Sequence, residues 1–148
     1  MTTRLVLDAS VVLKWVFMET HAEEAERLVQ QRVQNTTIEW LSPDILYVEV
    51  ANGLWKRVKT GVLPVDEAKR MLQDLRDRRL IQTVGSQNLL PSAFDLAAAI
   101  RHNAIYDCIY FALALTRNAV FVTADRVFYE KIMQTEHKDH IQFLADIA

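Results

Sequence analysis

Five short apolar runs, separated by longer stretches of helical character, limit what this chain can fold into more than any other feature. They are Leu5–Leu7, Thr36–Leu41, Leu80–Val84, Ala119–Thr123 and Ile141–Leu144. Each has the length of a strand. Between the first two lie a short helix over Ser10–Phe17 and a second one starting near Thr20. Thr20 and Glu23 have capping-box spacing, acids Glu23, Glu24 and Glu26 load its first turn, and Leu28 and Val29 supply part of its core face. After the turn Ser42-Pro43-Asp44, Asp44 is placed to cap a helix that runs to about Lys59 and is ended by Gly61. Its apolar positions include Ile45, Val48, Leu54, Trp55 and Val58. A further helix follows Pro64, with acids first (Asp66, Glu67) and cations late (Arg76, Arg78, Arg79). Ser92 and Asp95 repeat the capping-box spacing ahead of Leu96–Ile100, with Asn103 as a stop. Asp107–Leu115 and Val127–Met133 complete the helices. Strands alternating with helices predict an α/β fold. No repeat or composition break divides residues 1–148, so one domain is expected.

Composition removes several function classes. The 148 residues carry 17 basic and 19 acidic side chains, a net charge of −2. That excludes a polycation but allows a local basic face. The single cysteine, Cys108, excludes an intrachain disulfide and a multi-cysteine zinc site. Three glycines are too few for a phosphate-cradling loop or a nucleophile elbow. No apolar run reaches membrane-spanning length and no signal-peptide core precedes Leu5, so a cytoplasmic protein is expected.

Two acids stand just beyond expected strands: Asp8 after Leu5–Leu7 and Asp125 after Ala119–Thr123. In an open parallel sheet, functional side chains gather beyond the carboxyl ends of the strands. Either acid is equally well placed to cap a following helix. Glu49, between Val48 and Val50, and Asp107, in the apolar stretch Ile105–Phe111, are acids in surroundings that disfavour charge unless it is paired or coordinated. Asp107 also fits an N-cap, and Glu49 fits the wet helix face that Lys56 and Arg57 mark. If the four converge, a cation must neutralise them. Hard oxygen ligands suit Mg²⁺, or Mn²⁺, and such an ion binds a phosphate oxygen and activates a water. Ser10 and Thr123 flank the strand-end acids and are placed to support them or to serve the turns. Asn52 lies one turn beyond Glu49.

At these residues the chain resembles a known family. Leu7-Asp8-Ala9-Ser10-Val11-Val12-Leu13-Lys14-Trp15 resembles the N-terminal signature of PIN-domain ribonucleases of the VapC toxin type. Pro43 through Glu49-Val50-Ala51-Asn52, then Tyr106-Asp107-Cys108-Ile109-Tyr110 with Leu113-Ala114, then Thr123-Ala124-Asp125-Arg126, resemble the later motifs in order. The resemblance implies a three-layer αβα sandwich with a central, mainly parallel sheet. It implies metal-dependent RNA cleavage with Asp8, Glu49, Asp107 and Asp125 as catalytic metal ligands. It also implies a homodimer and a VapB-like antitoxin partner. Cys108 stands where a small residue such as Ala is common, and His102-Asn103 where His-Gly is frequent.

Other residues offer less. Asp95 fits a cap better than a fifth site acid, and Glu39 fits solvent or a local pair. His137 and His140 lie in a polar stretch, and His102 reads as helix-end decoration. Cys108 reads as a small core hydrophobe. Residues 56–79 hold eight bases against four acids; Lys56, Arg57 and Lys59 there, with Lys14, are candidate RNA contacts, although a solvated helical hairpin has the same pattern. Trp15, Phe17, Tyr47 and Trp55 suit core or dimer contacts. The expectation is an Mg²⁺- or Mn²⁺-dependent endoribonuclease toxin. A metal-dependent phosphatase, a DNA nuclease, a receiver-like phosphoacceptor and a non-catalytic dimeric partner-binding module are the competing readings.

Overall fold

The structure, a computed structural model, describes residues 2–17 and 21–147. Among these residues, five strands form one sheet: β1 (Thr3–Leu7), β2 (Ile38–Pro43), β3 (Ile81–Val84), β4 (Val120–Thr123) and β5 (Ile141–Phe143). Their order is β3-β2-β1-β4-β5, and every neighbouring pair is parallel. Among the described residues, seven α-helices connect and flank them: α1 (Ala9–Val16), α2 (Ala22–Gln34), α3 (Leu46–Lys59), α4 (Val65–Arg78), α5 (Leu90–Ile100), α6 (Tyr106–Thr116) and α7 (Arg126–Met133). This is the expected α/β sandwich around a parallel sheet.

A parallel sheet covered on both faces needs strands without polar alternation. Accordingly Val6, Leu7, Phe121 and Val122 are fully buried in the two central strands. Helix α6 packs across β1, β2 and β4, and its residues Cys108 through Ala114 are all buried. Its composition follows from that position, since a helix enclosed on all sides must be apolar all round. Among the described residues, the buried polar or charged side chains are Asp8, Ser42 and Thr123. They lie at the carboxyl ends of β1, β2 and β4. The Ser42 hydroxyl donates to the Leu7 carbonyl, which leaves Asp8 and Thr123 to be explained by the site.

Several local expectations are corrected. Asp44 caps nothing: Ser42 and Pro43 belong to β2, the Asp44 N–H extends the sheet by donating to the Val84 carbonyl at 2.8 Å, and α3 starts after Ile45 without a side-chain cap. Ser92 and Asp95 lie exposed inside α5, because a 3-10 turn over Gln87–Leu89 leads straight into a helix that begins at Leu90. That helix ends at Ile100, before Asn103, where Arg101 turns left-handed at φ 51°. Thr20 lies outside the described residues. Val48 and Trp55, seven positions apart and so on one helix face, are 71% and 58% exposed. The inward face of α3 is instead Leu46, Val50, Gly53 and Leu54. Gly53 lets α1 approach: a Cβ there would run into the Leu13 side chain.

Candidate metal centre

Strand β1 has β2 on one side and β4 on the other. The chain therefore leaves the carboxyl ends of β1 and β4 in opposite directions and opens a crevice between them, the usual ligand position in such sheets. Leu7 pairs with Val122, so Asp8 and Thr123 sit next to each other at that edge. The Thr123 hydroxyl donates to Asp8 Oδ2 at 3.0 Å and accepts from the Asp125 N–H at 3.0 Å. Asp8 Oδ1 accepts from the Ser10 hydroxyl at 2.5 Å and from the Val11 N–H at 3.1 Å. Asp125 Oδ1 accepts from the Phe128 N–H at 3.1 Å. Both strand-end acids are thus helix N-caps and members of a site at once; the two readings do not compete.

The other two acids come from helices. Asp107 is the second residue of α6, inside its first turn rather than at its cap. Glu49 lies in the first turns of α3, half-buried, and its Oε1 accepts the Tyr110 hydroxyl at 2.7 Å. Tyr110 is one turn after Asp107, so α6 presents both to the crevice. Asp8, Ser10, Glu49, Asp107, Tyr110 and Asp125, with Ala9, line a cleft of about 110 Å³.

The cleft disfavours charge without a cation. Burial pushes the Asp8 carboxyl up to about 7, with the Asp107 charge adding to the rise and the Ser10, Val11 and Thr123 hydrogen bonds opposing it. Burial also raises Glu49, against its Tyr110 bond, and the charge of Asp107 raises it further. Asp107 is raised by burial and by Asp125, against its bond to His102. The Tyr110 phenol is pushed far up by burial and by Glu49, so it stays a hydrogen-bond donor. Desolvated, mutually repelling carboxylates are what a divalent ion relieves.

His102 was expected to decorate a helix end, and the structure corrects this. Its side chain is only 6% exposed. Nε2 lies 2.9 Å from Asp107 Oδ2, Nδ1 lies 3.2 Å from Lys131 Nζ, and the ring meets Phe128 edge-on at 5.0 Å. His102, Asp107 and Asp125 each offer a ligand atom, and these atoms all lie within 4.8 Å of one another. A His/Asp cluster able to coordinate a divalent metal is therefore present. No periodic pattern relates His102 to Asp107, because a turn separates α5 from α6; only the five-residue proximity hinted at it.

The sequence matches the PIN domain over residues 5–132. The chain belongs to the PIN-domain family. It is homologous to VapC-type ribonuclease toxins: it is 35% identical over 130 residues to Ribonuclease VapC3 of Pyrobaculum aerophilum, covering 86% of this chain and 94% of that protein. The fold is shared with a crystal structure of a Pyrobaculum aerophilum protein at TM-score 0.69 and 19% identity, over 98% of this chain and 92% of that one. It is shared with VapBC2 of Rickettsia felis, bound to a DNA fragment from their promoter, at TM-score 0.67 and 12% identity, over 95% and 98%. VapBC-1 of nontypeable Haemophilus influenzae gives TM-score 0.66 and 17% identity, over 97% and 100%.

Within this PIN domain the remaining candidates separate. Asn52 is exposed and does not line the cleft; helix spacing put it near Glu49, but the helix axis carries it away from the strand ends. Lys14 is half-buried and also outside the lining. Lys56 and Lys59 are exposed near the end of α3. Arg57 lies over the Phe17 ring at 3.8 Å and donates to the Gly53 carbonyl at 3.0 Å, so packing accounts for much of its position. Glu39 pairs with Arg4 at 3.2 Å across β1 and β2. His137 packs on Phe111 and His140 Nδ1 meets the Ala119 carbonyl at 3.0 Å; both are half-buried, not plain surface. Cys108 is buried, and its thiol is pushed up to about 11 by burial and by Asp107. It is a core hydrophobe, not a nucleophile. Among the described residues no helix is long and apolar enough to cross a membrane.

Proposed function

We propose that this PIN domain is a divalent-metal-dependent endoribonuclease acting as the toxin of a toxin–antitoxin pair in the cytoplasm. The carrying observation is the convergence of Asp8, Glu49, Asp107 and Asp125 on one cleft at the switch point of the sheet. Their oxygens would hold Mg²⁺ or Mn²⁺; the donor set is hard and anionic, and burial raises the carboxyls of Asp8, Glu49 and Asp107, which fits such an ion. When bound, the ion supplies Lewis-acid charge for a scissile phosphate and its leaving oxygen.

The protein's own groups do the positioning. Ser10, Val11 and Thr123 fix both oxygens of Asp8. Tyr110 fixes Glu49. Water attacks phosphorus in line, a new P–O bond forms, the bond to the 3′ oxygen breaks, and that oxygen takes up a proton from the surrounding water. The ends left are a 5′-phosphate and a 3′-hydroxyl. A carboxylate of the coupled set takes the proton from the attacking water, and its titration belongs to the set rather than to one residue. Lys56 and Lys59, exposed on α3, contact the RNA backbone, with Lys14 and Arg57 nearer the body of the domain. Such contacts place the strand without reading its sequence.

The partners are a VapB-like antitoxin and a second copy of this chain. The VapBC names of the structures that share the fold support the first. Incubating RNA with Mg²⁺, Mn²⁺ or EDTA, beside DNA and a phosphate monoester, tests the reading. Cleavage of RNA that needs metal, leaves 5′-phosphates and is lost in Asp8→Asn and Asp107→Asn is expected. Preference for DNA or the monoester would move the activity to the competing hydrolases. Cleavage that survives both substitutions, or no metal binding at all, would refute the assignment.

A further inference from the structure

We propose that His102 is a positioning residue of the metal centre: Lys131 fixes its tautomer, and its Nε2–H aims the Asp107 carboxylate. The inference rests on the metal-centre reading above and names a part of it that the four acids do not include.

The hydrogen-bond roles follow from chemistry. A lysine ammonium has three donors and no acceptor. Lys131 Nζ at 3.2 Å from His102 Nδ1 therefore makes Nδ1 an acceptor and leaves the ring hydrogen on Nε2. That nitrogen lies 2.9 Å from Asp107 Oδ2 and donates to it. The opposite tautomer would set donor against donor at Lys131 and acceptor against acceptor at Asp107. With both ring nitrogens engaged, His102 has no lone pair left for an ion, although one of those nitrogens lies within 4.8 Å of a carboxylate oxygen of each of the two aspartates. Holding Oδ2 restricts rotation of the Asp107 carboxylate and leaves the other oxygen for the ion. Histidines that act on a metal site through a hydrogen bond to a ligand are a recurrent device.

The backbone is built to hold this ring. Arg101 adopts φ 51°, a left-handed position that usually goes to glycine. The His102 N–H then donates to the Ala97 carbonyl at 3.2 Å, closing a Schellman-type end on α5. Lys131 also donates to the Arg101 carbonyl at 3.2 Å. One side chain of α7 thus ties down both the strained turn and the ring it carries. The same α7 begins at Asp125, which caps it, so a single helix links the arrangement of Asp125 to that of Asp107.

Long-range ¹H–¹⁵N spectra of the metal-free wild-type protein read the tautomer directly. The expected result is a hydrogen-free Nδ1 and a protonated Nε2, unchanged when Mg²⁺ is added. Mn²⁺ binding, followed by calorimetry, supplies the second readout. His102→Ala should weaken it about tenfold or more, while His102→Gln, whose side-chain amide can donate to Asp107, should recover most of the loss. Lys131→Met should mix the tautomers and weaken Mn²⁺ binding. Thermal melts of each variant check that it folds. Hydrogen on Nδ1 in the wild-type protein would overturn the proposal. So would a Gln variant that is folded yet binds Mn²⁺ as poorly as the Ala variant, or an Nε2 that loses its hydrogen when Mg²⁺ is added, since these mark a direct ligand. A wild-type protein that binds no Mn²⁺ would instead sink the metal-centre reading, while the metal-free spectrum still decides the Lys131–His102–Asp107 arrangement.

Discussion

Replacing Asp8 by Asn is expected to stabilise the metal-free protein above neutral pH while destroying its proposed activity. Asp8 is 4% exposed, and burial lifts its carboxyl from the ordinary 3.8 to about 7. Below the lower value both folded and unfolded chains carry the proton, and the group costs the fold nothing. As pH rises through the window between the two values, the unfolded chain gives up its proton first. The folded state loses about 4 kcal/mol by the time pH is well above 7. Asn escapes that penalty. It still caps α1, since Asn and Asp cap equally well, but its amide nitrogen faces the Thr123 hydroxyl. That hydroxyl must turn away, losing a bond worth about 1 kcal/mol. A net gain of about 3 kcal/mol remains. Urea denaturation in EDTA, followed by tryptophan fluorescence at pH 8 and at pH 4, measures it. The gain should appear at pH 8 and shrink towards pH 4. A variant no more stable than wild type at pH 8, or a gap that ignores pH, would refute the assignment of the strain to a buried Asp8 charge.

Mg²⁺ or Mn²⁺ at about a hundred times its dissociation constant should stabilise the wild-type protein by about 2.7 kcal/mol. The gain should be larger at pH 8 than at pH 5, because bound ligands must be deprotonated; thermal melts with and without EDTA check this. Tyr110→Phe removes the donor to Glu49; about 1 kcal/mol of stability should go with it, and turnover should fall more than substrate affinity. Gly53→Val forces a side chain against Leu13, so the urea midpoint should drop by the equivalent of about 1–3 kcal/mol with the metal site intact. Lys56→Gln with Lys59→Gln should raise KM for RNA with kcat retained. The same pair should flatten the salt dependence of binding by about 1.4 in the log–log slope, the value for two phosphate contacts on single strands.

Much of the architecture was legible because it depends on local rules. Short apolar runs alternating with helical stretches yield a parallel sheet, and acids that follow such runs sit at its carboxyl edge. Asp8 and Asp125 were placed by that logic alone. Neighbouring residues could not settle whether they were caps or site groups, because one carboxylate has oxygens enough for both tasks. Caps depend less on residue type alone. Asp44 and Ser92 have the right residue type, but the Val84 carbonyl draws the Asp44 N–H into the sheet, and the 3-10 turn before α5 starts that helix at Leu90, so Ser92 falls inside it. Val48 and Trp55 share a helix face that spacing alone could not orient inward or outward.

The sequence by itself determined the fold class, since short apolar runs alternating with helical stretches are a local pattern, and it put Asp8 and Asp125 just beyond two such runs; Glu49 and Asp107, acids in apolar helical stretches, joined them only through the resemblance to a family. The tertiary structure decided how those acids meet, which is a matter of sheet order: β1 beside β4 sets Asp8 against Thr123 and opens the crevice. It also decided that Lys56 and Lys59 stand clear while Arg57 packs on Phe17. His102 belongs wholly to the second kind. Its place depends on a left-handed turn, a lysine twenty-nine residues further on and a burial that no periodicity encodes, because a hydrogen bond between distant side chains leaves no trace in spacing.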